Sequence, residues 1–117
     1  MAVLMDEPDS ARCRALLESQ EIIISAGTLS EAYLVATAHR LDGELRNLID
    51  EISAEIIEVR ANSARRIGAV WSRWGKGRHP AALNFGDCFA YDLASERQCP
   101  LLFVGNDFAK TDVISAL

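Results

Sequence analysis

The chain has 117 residues, half of them apolar and a quarter charged, with a formal net charge of −5. That length supports one hydrophobic core and not two, no apolar run approaches the ~20 residues of a membrane span, and no basic-then-apolar leader precedes a cleavage site. Leu, Ile, Val and Ala are too abundant for disorder, so a soluble, cytoplasmic single domain over residues 1–117 with no membrane partner is expected. Cys13, Cys88 and Cys99, with His39 and His79, make no zinc spacing. Reduced thiols in a cytosolic core are the expectation.

The elements follow in chain order. Residues 9–19 read as a helix behind Pro8, with Asp9 placed to cap it and Ala11, Ala15 and Leu16 at helical spacing. Residues 21–25 are a continuous β-branched run, the pattern of a buried parallel strand. Gly27-Thr28 breaks that run, and Thr28 to Glu31 has the spacing of a capping box opening a helix to about Arg40. Leu41, Leu45, Leu48, Ile49 and Ile52 mark another helix over residues 42–53, and residues 55–59 read as a second strand. Asn62 is placed to cap an amphipathic helix through Trp71 and Trp74, which Gly75 and Gly77 stop. A loop over residues 75–84 leads to a helix over residues 86–97, and residues 100–104 form a third, wholly apolar strand. Strands alternating with helices predict an α/β/α three-layer sandwich on a parallel sheet. The chain opens inside an element, so the first, central strand of such a sheet is missing from this reading.

Charge is unevenly spread. No acidic residue falls between Val59 and Phe85, while Arg60, Arg65, Arg66, Arg73, Lys76 and Arg78 give that stretch +6 against −11 for the remainder. This predicts one basic edge beside an acidic body, or else a solvated helix face.

In open parallel sheets, ligands bind beyond the carboxyl ends of the strands. Glu31 follows the first strand by one helical turn, Asp107 follows residues 100–104 through Gly105-Asn106, and Asp87 opens the helix before the last strand. Each has an ordinary use: a capping box for Glu31, a favourable helix dipole for Asp87, turn chemistry for Asn106-Asp107. Asp87, however, lies in the apolar run from Asn84 to Ala90, where an unpaired carboxylate is costly. Converging carboxylates without histidine or thiolate suit Mg²⁺ or Mn²⁺, which activate water and offset charge on a phosphate in transit.

The segments Met5-Asp6-Glu7-Pro8, Ser25-Ala26-Gly27-Thr28-Leu29-Ser30-Glu31, residues 75–91 (GKGRHPAALNFGDCFAY) and Leu101-Leu102-Phe103-Val104-Gly105-Asn106-Asp107-Phe108 together resemble a PIN-domain ribonuclease of the VapC toxin type. The likeness covers nearly the whole chain in order, and residues 75–91 are its most specific part. It implies an endoribonuclease in which acidic residues gather around Mg²⁺ or Mn²⁺, with Glu31, Asp87 and Asp107 as the second, third and fourth acids. The family's first acid lies in an initial strand of the type D-x-S-A-L, absent here; Asp6, Glu7 and Asp9 do not replace it, and the domain is expected to be truncated at its N-terminus. Arg73, Lys76 and Arg78 are assigned to RNA phosphates, with Thr28 and Asn84 in supporting positions. The resemblance further implies a homodimer and a small antitoxin partner. The alternative is a catalytically silent PIN-like domain that dimerises or binds antitoxin. A phospho-receiver domain needs an acidic pair after its first strand and a phosphoacceptor Asp ending a middle strand, which Ser25-Ala26-Gly27-Thr28 does not supply.

Overall fold

A computed structural model describes residues 9–103 and 107–117. Expectations that rest on residues 1–8 and on the turn at 104–106 lie outside the described residues. The order is α1 (Ser10–Ser19), β1 (Ile23–Ser25), α2 (Ala26–Ala38), α3 (Asp42–Glu51), β2 (Glu55–Ile57), α4 (Ala61–Trp74), α5 (Phe85–Arg97) and a short 3-10 turn at Phe108–Lys110. β1 and β2 pair in parallel, with Ile23 opposite Glu55, Ile24 opposite Ile56 and Ser25 opposite Ile57. A parallel pair needs a long crossover, and α2 and α3 supply it. The α/β class with a parallel sheet is therefore as expected.

The third strand is the correction. Leu101 makes an isolated parallel bridge with Ser115. Its N–H donates to Ile114 O at 2.8 Å, and its carbonyl accepts from Ala116 N at 3.0 Å. Among the described residues of that segment, no other strand pairing is formed. Among the described residues the sheet has two strands, and β1 is paired only on its β2 side.

Helix starts also differ from expectation. Ser25, not Thr28, caps α2: its Oγ accepts from Gly27 N at 3.2 Å. β1 therefore runs into α2 without a loop, and Thr28 and Glu31 lie inside the helix. α4 begins after Arg60, whose N–H donates to Ser63 Oγ at 3.2 Å, while Asn62 accepts from Arg65 at 2.6 Å. Asp9 holds the cap position of α1, but its carboxylate goes to Arg12 at 3.3 Å.

The core lies between α4, α5 and the segment joining them. Ile67, Val70 and Trp74 of α4 recur at helical spacing and pack with Ala81, Leu83, Cys88 and Tyr91, with Phe89, Phe108 and Val113 against them. Arg66 braces the two helices, donating to both oxygens of buried Asp92 at 2.7 and 3.1 Å and pairing with Glu96 at 3.5 Å. Cys13 and Cys88 are buried and all three cysteines are free. No described helix is long and apolar enough to cross a membrane.

Candidate functional site

α5 begins with a reciprocal cap. Asn84 Oδ1 accepts from Asp87 N at 2.8 Å, and Asp87 Oδ2 accepts from Asn84 N at 3.0 Å. Two helix-start donors are satisfied at once, and the Asp87 carboxylate is held at the N-terminal end of the helix, where the dipole favours negative charge.

α2 meets α5 through two glycines. At Gly27 the space of a β-carbon is filled by the Phe89 ring, and at Gly86 it is filled by the carboxylate of Glu31. One glycine on each helix lets the other helix's side chain approach the backbone directly. Glu31 is thereby brought over the first turn of α5, beside Asp87. Gly27 and Gly86 are the residues that sequence reasoning missed. Glycine in the first turn of α5, just before the acid, is the signal that could have marked Gly86.

Electrostatics record the same proximity. Burial, then the neighbouring charge of Asp87, raises the Glu31 carboxyl above its ordinary range. Burial also raises Asp87, opposed by the Asn84 N–H bond and reinforced by the charge of Asp107. Asp87 thus feels the charge of Asp107, and Glu31 the charge of Asp87. Among the described residues no three His, Cys, Asp or Glu side chains are grouped closely enough to hold one ion directly. Excess negative charge and all-oxygen donors nevertheless match a hard divalent cation reached partly through water. The Thr28 hydroxyl, one turn before Glu31 on α2, is buried and has no hydrogen-bond partner among the described residues. The neighbouring Cys88 thiol is pushed up by burial, then by the charge of Asp87.

The basic stretch is partly neutralised. Arg60 pairs with Glu58 at 3.2 Å, Arg66 with Asp92, and Arg73 with Asp112 at 3.7 Å. Arg73 also lies over the Trp74 ring, 4.5 Å from its centroid. No ion pair holds Arg65, Lys76 or Arg78 among the described residues. The single basic edge expected from sequence is therefore reduced to Arg65, Lys76 and Arg78, because Glu58, Asp92 and Asp112 pair with the other three. Lys76 N–H donates to Leu83 O at 3.0 Å, and Leu83 N–H to Trp74 O at 3.0 Å. That ties the basic segment directly to Asn84, the cap of α5.

The PIN domain family matches residues 1–114. Ribonuclease VapC30 of Mycobacterium tuberculosis is 38% identical over 117 residues, 97% of this chain and 89% of that protein. Ribonuclease VapC28 of the same organism is 38% identical over 122 residues, 100% of this chain and 92% of that protein. Ribonuclease VapC36 is 41% identical over 103 residues, 85% of this chain and 73% of that protein. The chain therefore belongs to the PIN-domain family, among the ribonucleases of the VapC type.

Proposed function

We propose that this chain is the toxin component of a toxin–antitoxin pair, hydrolysing RNA phosphodiester bonds with Mg²⁺ or Mn²⁺ held by Glu31, Asp87 and Asp107. The observation that carries the reading is the Glu31 carboxylate brought over Gly86 at the start of α5, beside Asp87. Bound there, a divalent cation would supply an activated water and offset charge on the phosphate. The chain's own residues prepare the place. Asn84 fixes Asp87 through the cap, Gly86 admits Glu31, and the Thr28 hydroxyl offers a hydrogen bond to water or a phosphate oxygen. Lys76 and Arg78, without acidic partners among the described residues, take the RNA backbone. Arg73 contributes less, because Asp112 already engages it.

The cytoplasm is the compartment that fits an RNA substrate and three free cysteines. A homodimer and an antitoxin are the partners implied, and Leu34 and Phe85, 72% and 70% exposed on the helices that carry Glu31 and Asp87, offer them an apolar surface. RNA cleavage with added Mg²⁺ or Mn²⁺ is the test. Cleavage that disappears with chelator and in Glu31→Gln and Asp87→Asn is expected. A chain that binds antitoxin yet cuts no RNA with either metal would establish the silent-domain alternative instead.

A further inference from the structure

Two arginines of the basic stretch lie over tryptophans, and the two pairs differ in what surrounds them. Arg73 over Trp74 is a closed pair: the indole is only 8% exposed, packs at 4.7 Å against His79, and the arginine is held by Asp112. Arg78 over Trp71 is open. Its guanidinium carbon lies 4.7 Å from the ring centroid, the indole is 38% exposed, and no acidic side chain among the described residues pairs with the arginine.

The open pair is also held in place. The pyrrole edge of Trp71 rests on Gly75, where no β-carbon would fit. Arg78 N–H and His79 N–H both donate to Gly75 O, at 2.9 and 3.1 Å, and Gly77 turns the chain at φ +83°. A cation and an aromatic face are thus presented together on a hydrogen-bonded turn that leads through Leu83 into the helix bearing Asp87.

We infer that Trp71 and Arg78 form a stacking platform for an unpaired RNA base on the turn that leads into the helix bearing Asp87. The inference rests on the ribonuclease reading and adds a base contact to it. Aromatic and guanidinium planes stack on unpaired bases, whereas a duplex hides the base faces. The same arginine attracts the adjoining phosphate.

The test compares, without divalent cation, a short single-stranded adenosine oligoribonucleotide with an abasic ribose–phosphate oligomer of the same length and charge. The wild-type chain is expected to bind the base-bearing strand about tenfold more tightly, with quenching of tryptophan fluorescence. Arg78→Lys keeps the charge and Trp71→Leu keeps every cation; in both, the preference for bases should vanish while the salt dependence persists. Arg78→Lys alters only a surface side chain, so its result stands even if Trp71→Leu misfolds. Equal wild-type affinity for the two strands, or a preference kept in both variants, overturns the platform and leaves the ribonuclease reading intact. Binding of neither strand, together with absent cleavage, overturns both.

Discussion

The carboxylate of Glu31 occupies the space that a side chain at position 86 would need. The Glu31 carboxylate is the far end of a flexible side chain, so Gly86→Ala should displace it without unfolding α5, and Ala is the better helix former. The expected outcome is a thermal midpoint equal to or above wild type together with a large loss of metal-dependent RNA cleavage. A variant that cuts RNA at the wild-type rate would show that Glu31 need not sit beside Asp87.

Glu31 and Asp87 both carry carboxyls raised by burial and by a neighbouring acid. A folded-state value above the unfolded one favours the folded state fully below the unfolded value, and that contribution is lost as pH rises through the folded value. At neutral pH without metal, burial of these charges and then their repulsion therefore destabilise the chain. Glu31→Gln should raise the midpoint at pH 7 by a small amount, since the group reaches solvent, and the gain should shrink toward zero as the pH falls into the carboxylate range. Thermal melts of the two proteins across pH, with chelator present, check the sign. A gain that grows on acidification would contradict it.

Asn84 caps α5 and holds Asp87. Asn84→Ala should cost about 1 kcal/mol of stability, because the Asp87 N–H loses its Oδ1 acceptor, and should leave metal binding near wild type, because the Asp87 carboxylate accepts from the Asn84 backbone N–H that alanine keeps. Asn84→Ser keeps a side-chain acceptor and should recover most of the stability. Denaturant melts and Mn²⁺ titration measure the two effects separately.

Lys76→Ala and Arg78→Ala should each lower RNA affinity and flatten its dependence on salt, by about one phosphate contact apiece. Arg73→Ala should change the slope less and stability more, because it removes the pair with Asp112 and the contact with Trp74. Filter binding over a range of salt distinguishes them. A slope that falls most for Arg73 would reverse the assignment.

Local chemistry made much of this protein readable from sequence. The β-branched run at residues 22–24, the Leu and Ile spacing of α3, the apolar stripe Ile67, Val70 and Trp74, and the three acids all depend on neighbours within a turn or a strand. The family resemblance rested on residues 75–91, which hold the turn at Gly77, the cap at Asn84 and Asp87 together in one continuous segment. What only the tertiary structure decided involves residues far apart in the chain. Leu101 bridges Ser115 and not a sheet neighbour, Arg66 is spent on Asp92 twenty-six residues away, and Arg73 is spent on Asp112, so a count of basic residues overstated the free positive charge. The meeting of Glu31 with Asp87 depends on Gly27 and Gly86 allowing α2 and α5 to touch. The absence of a β-carbon matters only once another helix's side chain arrives to use the space, and hydropathy and helical period along one chain carry no record of that arrival.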